Sequence, residues 1–208
     1  MKILAVGFNY PTHQDEAPSL LNRTYAEQEP IIFHKGDSIL RPGAPFFLPD
    51  WSNQIDYEVE IVVHITRVGK HIAERFAHRY YDEVSVGIDF TARDLQREAI
   101  AHGRPWSMAK AFDGSAAIGT WINKAELGYP AEPMTFSLEV DGALRQQGSS
   151  EQMLHSIDKL IAYISRYHTL KMGDIIFTGT PAGVGQCQIG QRLDAYLCGR
   201  HLLHVPIK

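Results

Sequence analysis

The sequence predicts a mostly β fold of the α+β class. Short runs rich in β-branched and aromatic residues recur along the chain, separated by widely spread glycines (17) and prolines (11). Only two segments carry the periodicity of a helix. The strands outnumber the helices and do not alternate with them, which argues against a doubly wound α/β sheet. At 208 residues the chain fits one domain, 1–208, on a prior of roughly 150 residues per domain. A domain of that size buries roughly 70% of its unfolded surface, so its core needs no disulfide or metal staple.

In chain order, Ile3–Val6 is a short apolar run and reads as a first buried strand. Residues 11–30 are polar and punctuated by proline, and are expected to form a mobile segment. Glu58–Ile65 and Val84–Phe90 read as strands. Residues 91–102 follow as a helix, with Gly103 and Pro105 as its stop signal. Met134–Val140 is a strand, and Asp141-Gly142 after it is the chemistry of a two-residue hairpin turn. Ser156 caps a helix over 157–167 whose Ile157, Leu160, Ile161 and Ile164 form one apolar stripe suited to core packing. Asp174–Thr178, Leu193–Leu197 and Leu202–Ile207 complete the strands. No repeat of 20–50 residues is visible.

Composition narrows the function. Twenty basic and 24 acidic residues leave a net charge of −4, without the basic excess of a nucleic-acid binder. No apolar run is long enough to span a bilayer, and MKILAVGF is too short for a signal peptide. No nucleic-acid or membrane partner is therefore expected. Cys187 and Cys198 are too few for a disulfide framework and lack metal-ligand spacing, so a reducing cytoplasm is the expected location.

The chemistry concentrates around QIDYEVEIVVHI, residues 54–65. Residues two apart on a strand face the same way, so Glu58 and Glu60 share one face while Val59, Ile61 and Val63 share the other. Adjacent carboxylates repel unless solvated, protonated or bridged by a cation, and the pattern alone fits a solvated face as well as a cation site. Asp56 is in phase with the pair and competes as a third ligand. A further acid, Asp89, ends the strand 84–89, and Arg93 and Gln96 lie one helical turn beyond it on one face. Three carboxylates without cysteine favour a hard cation, Mg²⁺ with Mn²⁺ or Ca²⁺ as substitutes, over structural zinc. The loop in DIIFTGTPAGVG, residues 174–185, lacks the Gly-Lys-Ser/Thr ending of a P-loop. Its N–H groups and threonine hydroxyls can hold a carboxylate instead.

Several motifs then fall in one order along nearly the whole chain: Gly7-Phe8-Asn9-Tyr10 with His13 and Glu16, Phe33-His34-Lys35, Asp56-Tyr57-Glu58-Val59-Glu60, Gly87-Ile88-Asp89-Phe90-Thr91-Ala92-Arg93-Asp94-Leu95-Gln96, Pro105-Trp106 through Lys110-Ala111-Phe112-Asp113, and Gly173-Asp174-Ile175-Ile176 through Thr178-Gly179-Thr180-Pro181. In this the chain resembles the fumarylacetoacetate hydrolase family, in its short acylpyruvase and oxaloacetate decarboxylase branch. The resemblance implies a mixed β-sandwich rolled into a barrel-like shape with a few short helices, and a homodimer. It implies Glu58, Glu60 and Asp89 as metal ligands, which removes most of the claim of Asp56. It implies His13 and Glu16 as a catalytic dyad on a lid formed from residues 11–30, and Lys110 as a catalytic lysine. It also implies substrate contacts from Arg93, Gln96 and Thr180. The activity it implies is metal-dependent hydrolysis of a C–C bond in 3-acylpyruvates, with oxaloacetate decarboxylation beside it. Isomerisation or decarboxylation of 2-hydroxyhepta-2,4-diene-1,7-dioate-type substrates is the alternative. The chain departs from the family in two places, with Phe8 where arginine is usual and Gly36 where proline is usual.

Overall fold

The computed structural model describes residues 1–11 and 29–208. The expectations for His13 and Glu16, and for nearly all of the segment 11–30, therefore lie outside the described residues. In chain order the strands and helices are β1 (Ile3–Gly7), β2 (Ile31–His34), β3 (Ile55–Tyr57), β4 (Val59–Ile65), α1 (Glu74–Ala77), β5 (Tyr81–Asp89), β6 (Thr91–Ala92), α2 (Arg93–Ala101) and α3 (Ser107–Lys110). The second half comprises β7 (Ala116–Ile118), β8 (Ile122–Asn123), β9 (Thr135–Val140), β10 (Ala143–Ser149), α4 (Ile157–Tyr167), β11 (Ile175–Phe177), β12 (Gly185–Gln186), β13 (Arg192–Leu197) and β14 (Arg200–Pro206). The fold is mostly β with few helices, as expected.

A seven-stranded sheet runs β2-β1-β11-β4-β5-β7, with β8 also paired to β5. A four-stranded sheet runs β10-β9-β13-β14, and a small sheet runs β12-β3-β6. In the large sheet, β1 and β11 pair in parallel, while β4 and β5 pair antiparallel from Val59↔Ile88 onward. The main core lies between the large and four-stranded sheets. Val59, Ile61 and Val63 of β4 and Val84, Val86 and Ile88 of β5 join Phe136, Leu138 and Val140 of β9 and Leu193, Ala195 and Leu197 of β13 in one cluster. The other face of the large sheet carries a second buried cluster, Ile3, Ala5, Val62, Ala116, Ile175 and Phe177, with Phe33, Ile39, Ile118 and Trp121 packed against it. Burial on both faces explains why β1 reads as a continuous apolar run rather than as an alternation.

Helix α4 spans the residues its periodicity predicts. Ser156 accepts from the Lys159 N–H at 3.2 Å, and Ile157, Leu160, Ile161 and Ile164 are buried in the core. The Asp141-Gly142 turn also forms, both residues adopting positive φ (53° and 79°) between paired Val140 and Ala143. The helix expected from residue 91 starts two residues later. Thr91 and Ala92 instead pair with Asp56 and Ile55 as β6, because β3 offers them ladder partners. Among the described residues no helix is long and apolar enough to cross a membrane.

Candidate active site

Glu58, Glu60 and Asp89 come together where β4 and β5 begin and end. The Asp89 N–H donates to the Glu58 carbonyl at 2.8 Å, so the backbone itself sets the two acids side by side. One carboxylate oxygen from each of the three residues lies within 4.8 Å of the others, and all three are buried. The solvated-face alternative is therefore excluded. β-Strand alternation does place Glu58 and Glu60 together, but their face meets protein instead of water. Asp56 is not part of this cluster; its Oδ2 accepts from Arg93 Nε at 2.8 Å and its carboxylate also accepts from Gln54.

Three buried cations surround the acids. Lys110, at the end of α3, uses all three of its N–H donors: on Glu58 Oε2 (2.6 Å), Asp89 Oδ2 (2.9 Å) and Thr91 Oγ1 (2.6 Å). Burial alone would lower its pKa, but the charges of Asp89 and Glu58 outweigh it and hold the ammonium protonated. Arg93, at the start of α2, donates to Asp56, to Glu58 and to Gln96 Oε1 (2.5 Å). Arg93 and Gln96 thus share the helix face expected from their spacing. Lys35, just past β2, donates to Asp89 Oδ1 and to the Lys110 carbonyl, both at 2.6 Å. It appears in the sequence only as part of a motif, and it is the functional residue that sequence reasoning left without a role. The signal was there: a lysine directly after an apolar strand, IIFHK, followed by a glycine.

The 174–185 loop does hold a carboxylate, and that carboxylate is the chain's own. The Gly179 N–H donates to Glu60 Oε2 at 2.6 Å. Gly179 has φ +101°, and a Cβ there would lie 2.7 Å from Asn9 Cβ, so the approach requires glycine. Asn9 locks the same loop by donating to the Thr178 carbonyl at 2.8 Å. Thr180 donates to the Val59 carbonyl at 2.8 Å and accepts from Gln146 Nε2 at 2.9 Å, so its hydroxyl braces the loop against β4. Gly36 has φ +63°, which proline cannot adopt, so the loop after Lys35 takes a path closed to the family's usual residue.

A narrow cleft opens beside this cluster, onto Glu58 and Glu60. Glu58, Glu60, Arg93, Gln96, Lys110 and Thr180 line it on the polar side, and Val6, Phe8, Phe33 and Trp106 on the apolar side. Phe33 also packs on Trp106, with ring centroids 5.8 Å apart, and lies 5.2 Å from Lys110 Nζ. Burial pushes the Glu60 carboxyl well above its usual range, and the charges of Asp89 and Glu58 push it further.

The donor set fits a hard divalent cation. Four buried carboxylates (Asp56, Glu58, Glu60 and Asp89) face three buried cations (Lys35, Arg93 and Lys110). That formal excess of one negative charge would repel an anionic substrate, and a divalent ion reverses it.

The fumarylacetoacetate (FAA) hydrolase C-terminal family model matches residues 2–205. The chain belongs to the fumarylacetoacetate hydrolase family. The oxaloacetate tautomerase YcgM of Escherichia coli strain K12 is 36% identical over 202 residues, covering 97% of this chain and 90% of that protein. Among solved structures, fumarylpyruvate hydrolase from Pseudomonas aeruginosa, in complex with Mn²⁺ and pyruvate, superposes with a TM-score of 0.91 at 33% identity. That match covers 100% of this chain and 89% of the other. The 2-hydroxyhepta-2,4-diene-1,7-dioate isomerase from Mycobacterium marinum gives 0.82 at 29% identity, covering 99% and 73%. The family setting makes the chain an enzyme in a group of hydrolases, tautomerases and isomerases.

Proposed function

We propose that the chain is a divalent-metal-dependent hydrolase that cleaves the C–C bond of 3-acylpyruvates bearing an apolar acyl group. The observation that carries this reading is that Phe8, Phe33 and Trp106 line the same cleft as Glu58 and Glu60. Glu58, Glu60 and Asp89 would hold Mg²⁺, with Mn²⁺ or Ca²⁺ as substitutes. The bound ion would supply Lewis-acid polarisation of a keto oxygen and stabilise enolate charge.

The chain's own residues account for the rest. Lys110, kept protonated, supplies a fixed positive charge beside the acids and favours the negative charge that develops on a carbonyl oxygen. Arg93 is fixed by Asp56, Glu58 and Gln96, so it contributes a rigid cationic wall that attracts the substrate carboxylate. The apolar wall packs against the alkyl part of the acyl group and leaves its carbonyl open to the attacking water. His13 acts as general base on the attacking water, and Glu16 sets its tautomer; both assignments rest on the family resemblance. Water adds to the acyl carbonyl, the bond to the methylene carbon breaks, and that carbon leaves with the electron pair as the enolate of pyruvate. Protonation of the enolate completes pyruvate and a free carboxylic acid.

A second reading, keto–enol tautomerisation of oxaloacetate, is favoured by the 36% identity to the E. coli tautomerase. It needs no attacking water: a proton leaves C3 of oxaloacetate, the resulting oxaloacetate enolate is stabilised by the same cationic site, and a proton is added at oxygen. Acetylpyruvate and oxaloacetate, each assayed with Mg²⁺ and with chelator, separate the two. Metal-dependent release of pyruvate and acetate supports the hydrolase, and loss of enol absorbance from oxaloacetate alone supports the tautomerase. A homodimer is part of the same proposal, and a monomer mass by light scattering would remove it.

A further inference from the structure

We propose that Asp194, His201 and His204 form a second cation site, for a borderline first-row divalent ion such as Zn²⁺. It lies on the outer face of the four-stranded sheet and shares no residue with the carboxylate cluster. In β13, Leu193, Ala195 and Leu197 point into the core, so Asp194 points away from it. Asp194 pairs across the ladder with His204. His201 lies three residues from His204, and regular alternation would turn it to the opposite face.

A β-bulge prevents that. Ala195 pairs with Leu203 and Tyr196 with His201, leaving Leu202 as the extra residue of β14. The Leu202 carbonyl accepts from the Thr120 N–H at 3.0 Å, so the bulge is anchored from outside the hairpin. It brings both imidazoles onto one oxygen. His201 Nε2 lies 2.9 Å and His204 Nδ1 2.8 Å from Asp194 Oδ1. Arg192 Nε donates to the other oxygen, Oδ2, at 2.7 Å and fixes the carboxylate plane, the kind of outer bond that orients metal ligands. Tyr196 packs against the His201 ring with centroids 5.0 Å apart. Glu139 sits opposite Asp194 on β9 and adds negative charge to the same face.

Two imidazoles and one carboxylate are a mixed N/O donor set, which suits zinc, nickel or copper better than Mg²⁺ or Ca²⁺. Three protein ligands leave a coordination position for water. The ring nitrogens must be neutral to ligate, so uptake releases protons below the imidazole pKa. The competing arrangement of the same atoms is two imidazolium–carboxylate ion pairs with no metal.

Calorimetric titration with ZnCl₂ tests the proposal on the full chain held in excess Mg²⁺, which saturates the carboxylate cluster. The wild type should take up one more equivalent of zinc than the H201Q/H204Q variant. Co²⁺ should give a visible absorption band with the wild type that the variant lacks. Both histidines are exposed, so the variant should melt at the wild-type temperature without zinc; the single variant H204Q provides the same comparison should the double variant fail to fold. Equal zinc uptake by wild type and variant, or none by the wild type, would overturn the proposal in favour of ion pairs alone. Neither result depends on turnover, so failure here is distinct from failure of the proposed activity.

Discussion

Lys35 Nζ lies 2.6 Å from Asp89 Oδ1 with both side chains fully buried. The pair joins the loop after β2 to the end of β5, and the second bond of Lys35, to the Lys110 carbonyl, ties in α3 as well. Lys35 is therefore the brace that sets the orientation of one proposed metal ligand, Asp89, and the position of the proposed catalytic lysine, Lys110.

Lys35→Met should be strongly destabilising, because it strips buried Asp89 Oδ1 of its ammonium partner and leaves Lys110, already shared with Glu58, as the one cation on that carboxylate. Removing one partner of a buried pair costs about 3–5 kcal/mol. At about 2–4 °C per kcal/mol for a chain of this length, the melting temperature should fall by upward of about 6 °C. Mg²⁺ should raise the melting temperature of the variant more than that of the wild type, since the ion replaces the missing positive charge. A Mg²⁺ effect no larger in the variant would remove this account.

Glu60→Gln should act in opposite directions with and without metal. Without metal it relieves repulsion from Asp89 and Glu58, so thermal stability should stay level or rise. The Gly179 N–H keeps a partner in the amide oxygen. With Mg²⁺, the stabilisation seen in the wild type should vanish together with turnover, because a charged ligand has been lost. Parallel melts with Mg²⁺ and with chelator read both signs at once.

Much of this was legible in the sequence, for physical reasons that also mark where legibility ends. Helix α4 is long enough for its apolar stripe to declare a period, and the Asp141-Gly142 turn needs only two residues to declare itself. Helices α1 and α3 have four residues each, too few for any period. Strand β10, ALRQQGS, is largely polar and exposed and carries no strand pattern of its own; its partner β9 supplies the order. The Glu58–Glu60 pair was visible because strand alternation is local, whereas the choice of Asp89 over Asp56 as its third member came from the family resemblance. The brace from Lys35 was not, since its partner lies 54 residues away. The same holds for Gln146, whose Oε1 accepts from the Val59 N–H across 87 residues at 2.9 Å.

Asp174 should control the acid limb of stability. It accepts from the Lys2 N–H and the Lys171 N–H, both at 2.8 Å, and pairs with the Lys2 ammonium where β1 and β11 begin their parallel pairing. Burial alone would raise its pKa, but the bonds from Lys2 and Lys171 outweigh it and hold the carboxyl below its usual range. A depressed folded pKa gives stability that is full above the unfolded value of about 3.9 and is lost as pH falls through the folded value. Asp174→Asn should therefore lower stability at neutral pH by about 1.5–3 kcal/mol, the worth of hydrogen bonds to a charged group. Below about pH 4 the wild type should converge on the variant. Denaturant melts across that window measure both; a constant gap down to low pH would contradict the assignment.

Phe8→Arg should change what the cleft accepts. Phe8 is buried at the mouth of β1 and lines the cleft with Phe33 and Trp106, where the family more often places an arginine. It already holds a φ of +59°, so an arginine there adds no backbone strain that phenylalanine lacks. A guanidinium on this wall would attract the second carboxylate of a dicarboxylic 2-oxo acid and desolvate poorly beside an apolar acyl group. A charged hydrogen bond of about 1.5–3 kcal/mol corresponds to a change of about tenfold or more in relative kcat/KM. The ratio of fumarylpyruvate or oxaloacetate turnover to acetylpyruvate turnover should rise by that factor, with Mg²⁺ dependence unchanged. If the ratio does not move, the apolar wall is not what selects the acyl group, and the tautomerase reading gains over the hydrolase.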